Sequence, residues 1–180
     1  MKGFLLLIAV LLQGEALQLK VGQRVRFRSV NFPNHFISRL SNGRVAISSS
    51  AADKEWIVRN GLAGKGYSLE SQSGGFLRHR NYQVWVDPYS YTDLYKKDSS
   101  FTIEEGLAGK GITFNSVNFP THSLRHAGYS LWIHTNDGSN LFSLDSSFEV
   151  EMIWLTIGAN GLPELRLIIC HTYYWFVFKI

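Results

Sequence analysis

One short stretch of the chain, residues 76–88 (FLRHRNYQVWVDP), carries side chains suited to holding a small polyhydroxylated ligand. A sugar offers hydroxyls that donate and accept, together with a weakly apolar ring face. Its site therefore needs a carboxylate, a guanidinium or imidazole, and an aromatic wall. Arg78 and His79 precede a tight turn, and the strand that follows ends at Asp87. We expect the turn to bring His79 and Asp87 to one small volume, walled by Tyr82 or Trp85.

Strand alternation places Trp85 on the same side as Asp87 and puts Val84 on the other side. A structural alternative stays open at this point. Asp87 and the proline after it would then only begin a turn, while Arg78 and His79 would form a solvated edge. Composition alone favours that alternative.

A related stretch, residues 123–134 (SLRHAGYSLWIH), returns later in the chain. It keeps the Arg-His pair as Arg125 and His126, but His134 replaces the strand-end carboxylate. Asp137 is a second candidate acceptor there, although the N-D-G sequence around it is also typical of a turn. We expect an altered pocket in this copy.

Internal repetition extends beyond these hairpins. GLAGKG at 61–66 recurs at 106–111, SVNFP at 29–33 recurs at 116–120, and DSSF at 98–101 recurs at 145–148. Together the repeats predict three units of about forty residues, 24–62, 66–107 and 111–150. In the first unit, Arg39 stands where the others carry histidine and Ser48 stands near the Asp87 position, so we expect this unit to be structural only.

Period-two alternation, β-branched and aromatic enrichment, and Gly, Asn and Asp punctuation predict strands throughout. No segment shows a sustained helical period with caps. The predicted fold class is all-β, and three units of four short strands favour a β-trefoil with pseudo-threefold symmetry over a propeller. Other repeated positions are assigned to the frame. We expect core aromatics at Trp56, Phe101 and Phe148. Turns are expected to be capped through backbone N–H groups by Asp53, Asp98 and Asp145. The loops are expected to be shaped by Phe32 and Phe119.

Five motifs in order, twice over, resemble the arabinose-binding domain of α-L-arabinofuranosidase B, which is carbohydrate-binding module family 42. The motifs are SVNFP, LRH, the apolar return strand ending in Asp, DSSF and GLAG. The resemblance covers residues 24–150. It implies a β-trefoil that binds arabinofuranose side chains of arabinoxylan or arabinan in pockets within individual repeats. It also favours His79 and Asp87 as binding residues, since the family's His and Asp positions both match in the second unit.

Composition narrows the classes of function. The formal charge is +4 and the basic residues are scattered singly, so we expect no nucleic-acid partner. No His/Cys cluster has metal-ligand spacing and no nucleophile–base motif occurs, so neither a metal nor another cofactor is expected. A chain of 180 residues has room for one domain, and we expect a monomer.

The two ends of the chain carry separate predictions. Residues 1–16 are typical of a secretory signal peptide, with an apolar run from Phe4 to Leu12 and small residues Gly14 and Ala16 at the cleavage site. We therefore expect an extracellular protein, in which Cys170 is the single cysteine. Residues 151–180 form a hydrophobic tail that departs from the repeat. A packed hairpin, a weak anchoring signal and sequence foreign to the domain all remain open for it, so membrane association through the tail is not excluded.

The leading functional hypothesis is a secreted sugar-binding module without its own catalytic domain, whose partner is an arabinofuranose-containing polysaccharide or glycan. Turnover is not expected, because a glycosidase needs two convergent carboxylates in a cleft, and the acidic residues here fall at turn positions. The alternatives are a protein-interaction or inhibitor scaffold, and a true α-L-arabinofuranosidase.

Overall fold

The computed structural model describes residues 19–157, 163–171 and 174–179, with side chains to residue 153. Within those residues the chain forms fourteen strands and two short helices, which confirms the all-β prediction. In chain order the elements are β1 (Arg24–Ser29), β2 (Phe36–Arg39), β3 (Val45–Ser48), β4 (Trp56–Asn60), β5 (Tyr67–Ser71), β6 (Phe76–Arg80), β7 (Gln83–Asp87), α1 (Asp93–Asp98), β8 (Phe101–Glu105), β9 (Ile112–Ser116), β10 (His122–Ala127), β11 (Ser130–Thr135), α2 (Asn140–Asp145), β12 (Phe148–Ile157), β13 (Pro163–His171) and β14 (Tyr174–Lys179).

The two helices correct the expectation of a chain without helix. Each is six residues long, which is too short to display a helical period in the sequence. Their start signals are nevertheless present: the Thr92 hydroxyl accepts from the backbone N–H of Tyr95, and the Ser139 hydroxyl accepts from that of Phe142. Side-chain capping of this kind satisfies N–H groups that a helix start otherwise leaves unpaired.

Six strands pair in a closed ring. The pairings run β1–β4, β4–β5, β5–β8, β8–β9, β9–β12 and β12–β1, all antiparallel. The remaining strands of residues 24–150 form three hairpins, β2–β3, β6–β7 and β10–β11. Closure leaves no free edge among the six ring strands, which removes a common route to edge-to-edge aggregation.

The three hairpins meet in a region that we call the hairpin cap, formed by β3, β7 and β11 with their turns. Contacts in the cap are cyclic. The N–H of Val86 donates to the Gly43 carbonyl, that of Ile133 donates to the Tyr82 carbonyl, and that of Ile47 donates to the Tyr129 carbonyl, each at 2.8 Å. Each hairpin turn is therefore fixed by the return strand of another hairpin.

Apolar side chains from the ring and the hairpins fill one core. Phe27 and Phe114 meet edge to face at 5.0 Å between ring centroids. Trp56, Phe101 and Phe148 are all buried, as predicted. Burying a side chain of this size stabilises the fold by about 2–3 kcal/mol, so the core aromatics hold a fold that has no disulfide to support it.

The two GLAGKG segments are tight connections between ring strands. Gly66 has φ +68°, and a Cβ there would lie 2.2 Å from the carbonyl oxygen of Phe101. Gly111 repeats this arrangement against Phe148 at 2.3 Å. Only glycine fits a positive φ with so close a backbone neighbour, which explains why the motif ends in glycine both times.

The C-terminal strands extend the sheet beyond the units predicted from the sequence. β12 continues past Val150, β13 pairs with β12, and β14 pairs with β13, an arrangement that agrees with the packed-hairpin alternative for the tail. The described residues contain no helix long and apolar enough to cross a membrane. The predicted signal peptide, residues 1–16, lies outside the described residues.

Candidate functional site

The hairpin β6–β7 has a buried side and an outer side. His79 lies opposite Val84 in the register and both are buried, whereas Arg78, Trp85 and Asp87 are half-buried on the other side. The prediction that Trp85 and Asp87 share a side and Val84 faces away is confirmed. The structure does not bring His79 and Asp87 to one volume. Asp87 lies opposite Phe76, which is three residues before His79 in β6, and an odd separation along a strand puts two side chains on opposite sides.

His79 belongs to a buried cluster between the second and third units. Its Nε2 shares a hydrogen bond of 2.9 Å with the Ser116 hydroxyl and lies 3.5 Å from Asp98 Oδ1. Asp98 also accepts from Asn118 at 2.7 Å and from Arg78 at 3.1 Å. We call these five residues the His79 cluster. Burial, and then the neighbouring Arg78 guanidinium, lowers the pKa of His79 to about 4, so the imidazole is neutral at pH 7.

A second cluster joins the third unit to the first with the same residue types. His126 Nε2 lies 3.2 Å from the Ser29 hydroxyl and 3.4 Å from Asp145. Asp145 accepts from Arg125 at 2.6 Å and from Asn31 at 2.7 Å. We call this group the His126 cluster. Burial lowers the pKa of His126 as well, so both clusters hold a neutral imidazole.

These contacts correct the role predicted for the repeated aspartates. Asp98 and Asp145 end the short helices and accept from side chains, rather than capping turns through backbone N–H groups. Burial raises the pKa of Asp98 despite the opposing effects of Asn118 and Arg78. Asp53, the first copy, accepts from the hydroxyls of Ser71 and Ser73. The signal for these contacts was the joint repetition of Asp with Ser and Asn, which sequence reasoning assigned to separate turns and loops.

Aromatic residues cover both clusters. Phe119 packs at 5.4 Å on His79 and at 5.6 Å on Tyr82, which also stacks on His122 at 5.5 Å. Tyr82 is 48% exposed and lies in the hairpin turn with φ +65°. Tyr82 therefore covers the buried side of the hairpin, the side opposite Asp87. In the other copy Phe32 packs between His126 and Tyr129 in the same way.

The outer side of β6–β7 carries a partly exposed carboxylate, that of Asp87. Asp87 lies 3.7 Å from Arg78 and 3.7 Å from Arg80, and its side chain is 24% exposed. Neither contact is a hydrogen bond. Tyr89, two residues further on, is 41% exposed and packs against Phe76, the residue opposite Asp87. Tyr89 was not among the residues predicted from the sequence, although it follows the Asp-Pro pair directly.

Trp85 lies towards the hairpin cap on this outer side. The Arg80 guanidinium sits 4.2 Å from the centre of the Trp85 ring, and that of Arg44 sits 5.4 Å from it. Trp85 therefore contacts cations from two hairpins, and Arg80 lies between Trp85 and Asp87.

In the third unit the outer side differs. His134 occupies the position of Asp87, opposite the first residues of its hairpin, and stacks on Trp132 at 6.0 Å. Burial, and then Arg125, lowers the pKa of His134. An imidazole always carries at least one donor nitrogen, so His134 does not replace the acceptor-only carboxylate. Asp137 is exposed and accepts from the backbone N–H of Ser139 at 2.9 Å. Hydrogen bonding to the Ser139 side chain, and then to its backbone, lowers the pKa of Asp137. This contact favours the turn interpretation of Asp137.

The first unit places Ser48 opposite Phe36, as Asp87 lies opposite Phe76. The Ser48 hydroxyl accepts from the backbone N–H groups of Ser50 and Ala51. It is thus used within its own turn.

An all-β domain with a carboxylate, guanidinium groups and an aromatic ring on one outer hairpin has the side-chain chemistry of a sugar-binding module. Residues 25–150 match the family model of the alpha-L-arabinofuranosidase B (ABFB) domain, and the chain belongs to this family. The resemblance to the arabinose-binding domain of arabinofuranosidase B, carbohydrate-binding module family 42, is thereby confirmed.

Individual relatives agree with this assignment. Over 87 residues the chain is 37% identical to a probable alpha-L-arabinofuranosidase B of Aspergillus clavatus, an alignment that covers 44% of this chain and 17% of that protein. Over 126 residues it is 31% identical to an arabinofuranosidase/B-xylosidase of Trichoderma koningii, covering 63% of this chain and 25% of that protein. The chain thus spans a quarter or less of the length of these relatives.

The fold is also similar to a solved structure. A crystal structure of an arabinofuranosidase complexed with arabinofuranosyl-alpha-1,2-xylobiose superposes with a TM-score of 0.68 at 23% identity, covering 76% of this chain and 32% of that one. At this identity the likeness concerns the fold.

Proposed function

We propose that this chain is a carbohydrate-binding module that recognises arabinofuranose side chains of polysaccharides such as arabinoxylan or arabinan. The binding surface is the outer side of β6–β7, with Asp87 as hydroxyl acceptor, Arg78 and Arg80 as donors, and Tyr89 as ring platform. The observation that carries this proposal is the state of Asp87, a carboxylate held between two guanidinium groups without a hydrogen bond to either.

The contrast with Asp98 separates a binding carboxylate from a structural one. Asp98 is 3% exposed and its oxygens already accept from Asn118 and Arg78. The Asp87 side chain is 24% exposed, and neither guanidinium lies within hydrogen-bond distance of it. The Asp87 oxygens are therefore open to accept hydrogen bonds from sugar hydroxyls.

The relatives support the choice of sugar. The arabinofuranosidase structure that superposes on this chain contains an arabinofuranosyl oligosaccharide, and the family model is named for arabinofuranosidase B. His79 and Tyr82 contribute indirectly in this proposal, since the His79 cluster positions Arg78. A lone pocket of this kind binds weakly, so retention on a polymer depends on several contacts acting together.

We propose binding without turnover for this domain. Arg78 bridges Asp87 and Asp98, and Asp98 has the raised pKa that a general acid requires. Asp98 is nevertheless buried, and each of its oxygens already accepts from a side-chain donor, Asn118 or Arg78. A substrate oxygen would have to displace those donors to reach it.

We further propose that the domain is a β-trefoil with pseudo-threefold symmetry. The closed ring of six strands, the three hairpins with cyclic cap contacts and the three sequence units support this. Secretion is proposed from the predicted signal peptide, and it suits a protein that meets polysaccharide outside the cell.

The test is titration of the purified protein with arabinose-decorated and debranched arabinoxylan by calorimetry. The Asp87→Ala variant should lose most of the binding, because it removes the acceptor. Ser48→Ala is the matched control, since Ser48 holds the equivalent hairpin position, and it should bind like the parent.

Equal effects of the two substitutions, or none from Asp87→Ala, would reject the assignment of the site. Failure to bind either polymer would favour the protein-interaction scaffold. Release of arabinose from a chromogenic arabinofuranoside, lost in Asp87→Ala, would establish the enzyme alternative.

A further inference from the structure

The hairpin cap contains a depression of about 420 Å³, lined by Arg80, Asn81, Gln83, Trp85 and Trp132. We propose that this depression is a second carbohydrate subsite, specific for a sugar that carries a carboxylate, that is, a uronic acid residue. The proposal does not depend on arabinofuranose binding at Asp87.

The depression arises from how the three return strands meet. In the cap Trp85 lies opposite Arg44, Trp132 lies opposite Gln83, and Ala46 lies opposite Ser130. Two of the three strands thus contribute an indole at this level and the third contributes a methyl group. The two indoles come from different hairpins, and the third return strand places a small, buried residue, Ala46, at this level.

Gln83 supplies an unsatisfied polar group between the two indoles. It is 8% exposed, and its Nε2 has no hydrogen-bond partner among the described residues. A buried amide without a partner costs about 1–3 kcal/mol. A bound hydroxyl or carboxylate oxygen at this position would restore the missing contact.

The charges around the depression select an anion. Arg80 lines it with a half-exposed side chain, and Arg44 lies beyond Trp85 with an Nε that has no partner within the described part of the chain. None of the lining residues is acidic. A guanidinium fork matches a carboxylate geometrically and electrostatically.

The ligand class follows from combining these features. The Trp rings suit the apolar face of a sugar, the Gln83 and Asn81 amides suit hydroxyls, and the Arg80 guanidinium suits a carboxylate. A neutral sugar would leave the Arg80 guanidinium with only Asp87, which it meets at 3.7 Å without a hydrogen bond, and a small inorganic anion would not use the indoles. The volume lies within the range of small-molecule sites.

The test uses the whole protein and five probes: glucuronate, galacturonate, glucose as the neutral counterpart of glucuronate, acetate as a bare carboxylate, and a nucleoside monophosphate as a competing ligand class. Binding is followed by calorimetry and by tryptophan fluorescence. We expect at least one uronate to bind about tenfold or more tightly than glucose and acetate, with an affinity that falls as salt is added.

Two variants locate the site. Trp132→Ala and Arg80→Gln should each weaken uronate binding about tenfold, while Trp132→Phe retains most of it. The matched controls are Tyr91→Ala, an exposed aromatic elsewhere, and Arg59→Gln, an exposed arginine paired with Glu70 on the ring. Arg80 is exposed, so its substitution tests the site without loss of the core.

Uronate binding no tighter than that of glucose, or undiminished in both Trp132→Ala and Arg80→Gln, would overturn the proposal. Tighter binding of a nucleoside monophosphate than of either uronate would also overturn it, since aromatic and arginine side chains serve nucleotides too. Trp132 lies opposite Gln83, at the other end of β7 from Asp87, so arabinoxylan binding that persists in Trp132→Ala distinguishes failure at this subsite from failure of the proposed function.

Discussion

The hairpins of the second and third units are alike on the buried side and different on the outer side. Both bury a histidine against a helix-terminal aspartate, and both aspartates accept from an arginine and from an asparagine of another unit. On the outer side Asp87 of the second unit is replaced by His134. The comparison indicates that the shared half joins units together, and we propose that the variable half determines what each hairpin binds.

The buried half should therefore give the largest effects on stability. Replacing Asp98 or Asp145 by alanine leaves a largely buried arginine and an asparagine without their acceptor, and we expect a loss of about 3–5 kcal/mol in the free energy of unfolding. Urea denaturation measures it. Asp93→Ala, an exposed aspartate of α1, is the control and should cost under about 0.5 kcal/mol. Similar small losses at all three positions would show that the clusters do not join the units.

The neutral histidines predict a loss of stability in mild acid. The folded state holds the His79 pKa at about 4 against 6.5 for the free side chain. The unfolded chain therefore binds a proton first as the pH falls from 6.5 to 4, and stability declines by roughly 3 kcal/mol over that window. His126 acts in the same direction, whereas the raised pKa of Asp98 opposes them.

Denaturation at several pH values, compared with a His79→Gln variant, isolates this contribution. The variant should show a slope smaller by about one proton between pH 6.5 and 4. An unchanged slope would mean that His79 is protonated in the folded protein.

The outer half can be tested by transferring the carboxylate. His134→Asp gives the third unit the acceptor of the second unit, and we expect its binding capacity for an arabinofuranosyl oligosaccharide to rise from one site towards two. Calorimetric stoichiometry checks this. The second site should be the weaker one, because Ala127 stands where Arg80 does and no donor replaces it. A capacity that stays at one would show that Asp87 needs its own surroundings to bind.

The hairpin turns give the smallest effect. Gly128 has φ +53° and corresponds to Asn81, with φ +50°. Asparagine tolerates this left-handed conformation, so Gly128→Asn should change stability by only a few tenths of a kcal/mol, whereas Gly128→Val should cost about 1–2 kcal/mol. A Cβ at position 128 would meet no atom within 4 Å apart from its chain neighbours, so the difference reports backbone strain. Equal costs in thermal unfolding would contradict it.

The sequence allowed prediction of features that depend on local pattern. Strand alternation gave the all-β class and the side of Trp85, and repetition located the buried aromatics Phe101 and Phe148. The short helices were not predicted, because a six-residue helix has fewer than two turns and shows no helical period in the sequence. The partners of His79 and Asp98 were not predicted, because Ser116 and Asn118 lie in the next unit and only the strand pairing brings them close.

The placement of His79 shows the same limit. Both ends of a hairpin are close in sequence, so a shared pocket with Asp87 was a reasonable inference. Alternation within β6 instead turns His79 into the protein interior and places Arg78 on the outer side of the hairpin. Strand alternation, and not closeness in sequence, decides which of two neighbouring polar residues faces the outer side.

The most direct test of the account is a crystal structure of the protein soaked with methyl α-L-arabinofuranoside. We predict the sugar on the outer side of β6–β7, with a hydroxyl donating to Asp87 and a ring face against Tyr89, and His79 unchanged beneath it. A sugar bound over Tyr82, Phe119 and His122, or only at the third unit, would contradict the assignment of Asp87 as the binding carboxylate.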